Sequence, residues 1–255
     1  LTASNLGREM RMKLITKFTG IVVLCSITSV ANAASTSTNS ADPWESFNRG
    51  VFSFNETLDR YIAKPVAKTY QFVMPTAIDD AITRVFNNLA APITIVNQIL
   101  QGKPHDAAGQ TARLMFNSTL GLAGIFDVAQ HMDLPRQKED FGQTLGVWGV
   151  KSGPYVMLPL LGPSTVRDTG GRVADMGCDP RQYAEESARF VMTALDVTDT
   201  RADLLNAEKV IEGDRYLFIR EYYLQQREFA IADGVLAKDE FLDDSLSNDA
   251  VSETF

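Results

Sequence analysis

The sequence predicts an all-α fold, a bundle of several medium and short helices joined at proline and glycine elbows. Three observations predict it. Apolar residues recur at three- and four-residue steps along most of the chain, the period of one helical face. Alternation with a period of two is almost absent, so no sizeable sheet is expected. Proline or glycine punctuates the periodic stretches, as at Pro65, Pro75, Pro92, Pro104, Gly121 and Pro180. With 255 residues, 45% of them hydrophobic and 22% charged, the chain can bury one sizeable core, or two small ones at most.

The start reads as an export signal. Arg8, Arg11, Lys13 and Lys17 make it positive, Leu14 to Val30 is mostly apolar, and Ala31-Asn32-Ala33 fits small-x-small cleavage. Residues ahead of Met10 or Met12 read as lying upstream of the natural start. Thr16, Lys17, Ser26 and Thr28 dilute the apolar run, which disfavours a retained anchor. Of the two cysteines, Cys25 falls inside residues 1–33 and Cys178 is the one thiol beyond them. Residues 34–41 form a polar flexible linker, 42–232 the helical domain and 233–255 an acidic disordered tail.

Charge narrows the partners. Residues 1–33 hold four bases and one acid, so their removal takes the net charge from −8 to −11. The tail from Asp233 carries seven acids against Lys238, or −6, which leaves the body near −5. An acidic body argues against nucleic acid as a partner. It also argues against an anionic membrane held by charge alone. Any membrane contact must be hydrophobic.

The first helix opens at Asp42-Pro43-Trp44-Glu45, where Asp42 suits the N-cap, Pro43 the first turn and Glu45 a capping box. Phe47, Val51, Phe54, Leu58 and Tyr61 form its stripe, and Lys64-Pro65 ends it. A short helix follows from Pro65 to Phe72. Ile78 to Leu89 repeats the period, Pro92 interrupts it, and Ile93 to Leu100 resumes it. Lys103-Pro104 opens a helix reaching Leu120, and Ile125 to Ala129 reads as a helical turn. Pro135 to Asp140 reads as a polar loop leading into Phe141–Gly146. Past the central stretch, helices are expected over Pro180 to Asp196, Ala202 to Val210 and Asp214 to Ala232.

The central stretch, Trp148 to Asp175, is the unusual one. Its apolar run Tyr155-Val156-Met157-Leu158-Pro159-Leu160-Leu161 is only seven residues long, and a membrane-crossing helix needs roughly 20. Pro159 further opposes a helix or a central strand. The run therefore reads as an irregular apolar segment, covered by protein or facing something apolar. Ser164 or Thr165 then caps a helix bearing Arg167, Asp168, Arg172 and Asp175, with Asp168 and Arg172 spaced as a surface ion pair. Phe52 lies off the stripe of the first helix, which suggests a second apolar face on it.

Reactive chemistry is not visible. His105 and His131 stand alone, no metal-ligand spacing occurs, and no cofactor motif is present. Ser164 in Gly-Pro-Ser-Thr-Val lacks the second glycine and the strand-to-helix setting of a nucleophile elbow. The acidic pairs Asp79-Asp80, Glu139-Asp140 and Glu185-Glu186 fit helix starts and loops.

Asp42-Pro43-Trp44-Glu45-Ser46-Phe47-Asn48-Arg49 resembles the opening D-P-[LFW]-E-x-F-N-R of the MlaA (VacJ) family. Lys64-Pro65-Val66-Ala67, Phe86-Asn87-Asn88-Leu89, Pro92, Asn97 to Gly102 and Arg113 to Leu120 match further blocks. The strongest runs are Phe141–Gly146 and Gly153-Pro154-Tyr155, then Leu158-Pro159, Gly162 to Thr165 and Arg167-Asp168. Arg220-Glu221 and Tyr223 match a late block.

The resemblance implies a helical ring in the inner leaflet of the outer membrane, built around a central amphipathic channel. Its expected work is to remove phospholipid mislaid in the outer leaflet and pass it to a soluble periplasmic carrier, beside an outer-membrane porin trimer. Under this reading Leu145, Trp148 and Tyr155 to Leu161 are channel candidates. Arg167, Asp168 and Arg172 are headgroup-side candidates, and Trp44, Phe47, Phe52 and Phe54 membrane-contact candidates. Leu24 stands before Cys25 where the family's lipid-anchoring cysteine wants a small residue. Either cleavage follows Ala33 and the ring holds the membrane through its own helices and a porin, or cleavage falls at Cys25 and that cysteine is the anchor. Two competing readings are a soluble periplasmic helical adaptor that carries no lipid and a lipid hydrolase using Ser164.

Overall fold

A computed structural model describes residues 42–208, 211 and 213–235. The expected signal and linker, the last two residues of the helix expected over Ala202 to Val210, position 212 and the expected tail beyond Val235 lie outside the described residues.

The helical periods become α1 (Glu45–Leu58), α2 (Lys64–Val73), α3 (Thr76–Leu100) and α4 (Pro104–Thr119). The short α5 (Phe141–Val147) and α6 (Val166–Asp175) follow, then α7 (Glu186–Ala207) and α8 (Arg215–Ile231). Single 3-10 turns occur at Ala129–Met132 and Pro180–Tyr183. The neighbours trace a closed circuit: α1 joined through the turn Asp59–Ala63 to α2, then α7, α3, α5, α8, the hairpin described below, and back to α1. The fold is an all-α ring with one two-stranded insertion.

Several expectations are corrected. Asp42 does not stand at the N-cap of α1, which is Trp44: it is fully buried and accepts from Asn48, Tyr216 and Arg220. Glu45 pairs with Arg49 at 2.7 Å instead of closing a capping box. Pro65 does not end the helical run, because a π-helical turn, Asp59–Ala63, widens the backbone ahead of it. The proline then falls in the first turn of α2, where its missing N–H would go unpaired anyway.

Pro92 lies inside one continuous 25-residue helix. Packing of α3 against α4, α5 and α7 outweighs the lost backbone bond, a local penalty of about 3 kcal/mol. The two helices expected after Pro180 are a 3-10 turn and the single α7. Its polar middle is not a break. Asp199 is buried there and accepts from Tyr70 at 3.0 Å and Thr83 at 2.7 Å.

The largest correction is the apolar run. Tyr155–Leu158 is a strand, β1, paired antiparallel with β2 (Gly162–Thr165), with Tyr155 opposite Thr165 and Leu158 opposite Gly162. Pro159 escapes the ladder by standing in the turn, where Leu160 and Gly162 take left-handed backbones at φ 65° and 78°. Tyr155 and Met157 point inward to the main apolar core. There they meet Tyr216 of α8, with Val51 and Phe52 of α1 around them. Phe52 meets the Tyr216 ring edge-on at 5.7 Å, and Tyr155 does so at 6.2 Å.

Candidate functional site

A cavity of about 320 Å³ opens between α3 and α4 and is closed on one side by the segment from Arg136 to Asp140. The helix period makes it amphipathic. Phe86, Ala90 and Ile93 of α3 and Leu114 of α4 give it an apolar wall. Asn87 and Thr94 of α3 and Gln110, Arg113 and Asn117 of α4 give it a polar one, joined by Arg181 and Asp196.

Its four carboxylates are all engaged. Asp127 takes two bonds from Arg113, at 2.7 and 3.0 Å, and a third from Asn117 at 3.0 Å. Glu139 pairs with Lys103 at 3.3 Å, Asp140 with Arg227 at 2.6 Å and Asp196 with Arg181 at 2.6 Å. Arg84 reaches Asp80 across one turn of α3. Arg136 and Lys138 differ from these. Arg136 donates to the amide oxygen of Asn87, and neither cation has an ion-pair partner among the described residues.

Both side chains are solvent-exposed at the mouth of the cavity, beside its walls. Burial lowers the pKa of Arg136, and the nearby Arg113 lowers it further. Burial lowers Lys138 as well, with Arg136 adding to the effect. Asp127 offsets part of the shift at Arg136 and Asp196 part of that at Lys138, so the cavity presents two cations without direct ion pairs next to an apolar wall.

None of the channel, headgroup-side or membrane-contact candidates lines this cavity, although the motif residues Phe86, Asn87 and Arg113 and the acidic pair Glu139-Asp140 do. Tyr155 and Met157 are core residues. Val156, Leu158 and Leu145 are half-buried, Pro159 is exposed, and Leu160 and Leu161 stand 76% and 66% exposed at the hairpin tip. Trp148 is half exposed, donates to the Leu100 carbonyl at 3.1 Å and packs edge-on against Phe141. Phe47 and Phe54 face outward, whereas Trp44 and Phe52 are half-buried.

The charged trio behaves differently from a surface ion pair. Thr165 caps α6 through the Asp168 amide, as its sequence suggests. Asp168 is buried and accepts from Arg167 at 2.9 Å, Tyr223 at 2.8 Å and Arg227 at 3.1 Å. Arg172 donates instead to the carbonyls of Leu161 and Pro163, bracing the hairpin turn. Ser164 is buried and bonds Thr169 at 2.9 Å. Arg136 and Lys138 carried no sequence signal beyond a polar loop, and only the closure of that loop over α3 and α4 reveals them.

Comparison with known proteins agrees with this architecture. A solved structure from work on the "structural basis for maintenance of bacterial outer membrane lipid asymmetry" superposes with a TM-score of 0.68 at 36% identity. That match covers 74% of this chain and 98% of the other. The intermembrane phospholipid transport system lipoprotein MlaA of Escherichia coli K12 is 32% identical over 238 residues, which is 91% of this chain and 93% of that protein. Its counterpart in Haemophilus influenzae is 31% identical over 252 residues, covering 95% and 99% of the two chains. The profile of the MlaA lipoproteins matches residues 40–230, from the buried Asp42 to the far end of α8. With a family profile matched over three quarters of its length and relatives above 30% identity along nearly all of it, this chain belongs to the MlaA lipoprotein family.

Proposed function

We propose that this chain is the outer-membrane component of an intermembrane phospholipid transport system. It takes phospholipid mislaid in the outer leaflet, leads it through the ring and hands it to a soluble periplasmic carrier, so preserving lipid asymmetry. No covalent bond forms or breaks in this process.

One observation carries the reading: burial is inverted relative to a bundle that lives in water. Among the described residues eight apolar side chains are buried against seventeen polar or charged ones. Meanwhile Phe72, Val73, Ile99, Met115, Phe126 and Phe190 stand between 57% and 92% exposed. Exposed apolar area costs about 25 cal/mol per Å² in water, and extended patches of it mark membrane or protein contacts. Lipid removes that cost. The names borne by the relatives point the same way.

Among the described residues no helix is long and apolar enough to cross a membrane. In this reading the ring sits in one leaflet beside a porin trimer, held by its exposed apolar side chains. Phe47 and Phe54 belong to the membrane contact. Leu160 and Leu161 at the hairpin tip, with Val156 and Leu158 behind them, form an apolar edge along which acyl chains pass.

The test is a labelling experiment in cells. A membrane-impermeant amine reagent should modify more surface phosphatidylethanolamine when the chain is deleted and return to the parental level when it is restored. Unchanged labelling would favour an adaptor that carries no lipid.

A further inference from the structure

The geometry points to the cavity between α3 and α4 as a binding site for a phosphodiester anion, the charged core of a phospholipid headgroup, held by Arg136 and Lys138. This assignment rests on the transport reading above. The sequence suggested Arg167 and Arg172 for the headgroup, but both are committed elsewhere. Arg167 is buried against Asp168, and Arg172 is bonded to two carbonyls of the hairpin turn.

The cavity has the opposite character. Each of its carboxylates already has a closer cation, so Arg136 and Lys138, though within the field of Asp127 and Asp196, make no direct ion pair among the described residues. Arg136 is oriented by Asn87, which leaves the rest of its guanidinium fork free to grip two oxygens of one phosphate. Lys138 adds a point charge with three donors. Their depressed pKa values mark cations that gain from an arriving anion. Phe86, Ile93 and Leu114 supply an apolar wall for the first methylenes below the phosphate. About 320 Å³ is at the small end of ligand sites, roughly 300–1,000 Å³, and suits a headgroup and its glycerol rather than two acyl chains.

The experiment titrates the detergent-purified full chain with three probes: dihexanoyl-phosphatidylglycerol, its deacylated form glycerophosphoglycerol, and inorganic phosphate. Binding is followed by phosphorus NMR in the unaltered protein, in Arg136→Gln/Lys138→Gln and in the charge-retaining Arg136→Lys/Lys138→Arg. Both positions are solvent-accessible, so thermal melts should coincide for all three proteins. Charge-assisted contacts are each worth about tenfold in affinity. The glutamine pair is therefore expected to weaken the short-chain lipid and the deacylated headgroup by at least about tenfold. The charge-retaining pair should recover most of that.

Equal lipid binding by the unaltered and glutamine proteins overturns the headgroup site while leaving transport standing. No lipid binding by the unaltered chain overturns both. Inorganic phosphate binding more tightly than the short-chain lipid, and lost in the glutamine pair, assigns the site to free phosphate and overturns the lipid assignment.

Discussion

The side-chain amide of Asn48 is bonded to both backbone groups that flank Val156: its oxygen accepts from the Met157 N–H at 2.9 Å, and its nitrogen donates to the Tyr155 carbonyl at 3.1 Å. One fully buried side chain on α1 thus completes the free edge of β1, and its nitrogen also reaches Asp42 at 2.8 Å. The ring closes through this contact. Asn48→Ala strands a buried N–H and a buried C=O, each costing about 1–3 kcal/mol. Stability should fall by about 3 kcal/mol, measured by denaturant titration, with the hairpin amides losing hydrogen-exchange protection first.

Arg227 of α8 clamps Asp140 at the start of α5 and Asp168 near the start of α6. Burial alone would raise Asp140, but the hydrogen bonds and charge of Arg227 outweigh it and hold the carboxyl below its usual range. Asp168 is likewise lowered against burial, by Arg167 and Arg227. Carboxylates depressed in the folded state contribute stability that is complete above about pH 4, the unfolded aspartate value. That contribution is lost as the pH falls through the lower folded values. Arg227→Gln should cost about 3 kcal/mol at neutral pH, the low end for breaking a buried pair. It should also move the acid-unfolding midpoint upward, as followed by circular dichroism.

Helices α5 and α6 meet with their backbones almost touching. A Cβ added at Gly171 would lie 2.4 Å from the Gly142 nitrogen, whereas one at Gly170 meets nothing within 4 Å. Gly171→Ala should destabilise by about 1–3 kcal/mol through overpacking. Gly170→Ala should stabilise by roughly 0.5–1 kcal/mol through helix propensity. Thermal melts of the two proteins should therefore move in opposite directions. A shared direction would mean that the approach of the two helices is not tight.

The exposed end of α2 offers a direct handle on membrane contact. Phe72 and Val73 are 92% and 68% exposed, and a buried side chain of this size is worth about 1.5–3 kcal/mol. Phe72→Ser/Val73→Ser should weaken vesicle binding by roughly tenfold to a thousandfold in a flotation assay. The melting temperature should hardly move, because neither side chain is packed.

What the sequence made legible was local. Helical periods fixed most helices, and Thr165 before Val166 was readable as a cap because capping needs only a neighbouring amide. Three features escaped because their causes are distant or compensating. Pro159 in an apolar run argued against a strand, yet it occupies the turn between two four-residue strands too short to show alternation. Pro65 and Pro92 argued for breaks that a π-turn and tertiary packing absorb. Asp168 and Arg172 share a spacing typical of ion pairs, but Asp168 is taken by Arg227, 59 positions away. The same distance effect hid Arg136 and Lys138.

The central claim is that this chain holds phospholipid. Its most direct test is the phospholipid content of the protein extracted in mild detergent, by phosphorus assay and mass spectrometry. Phospholipid should be retained in near-stoichiometric amount through purification. Protein that is folded by circular dichroism but free of phospholipid, and unable to take it up from vesicles, would contradict the claim.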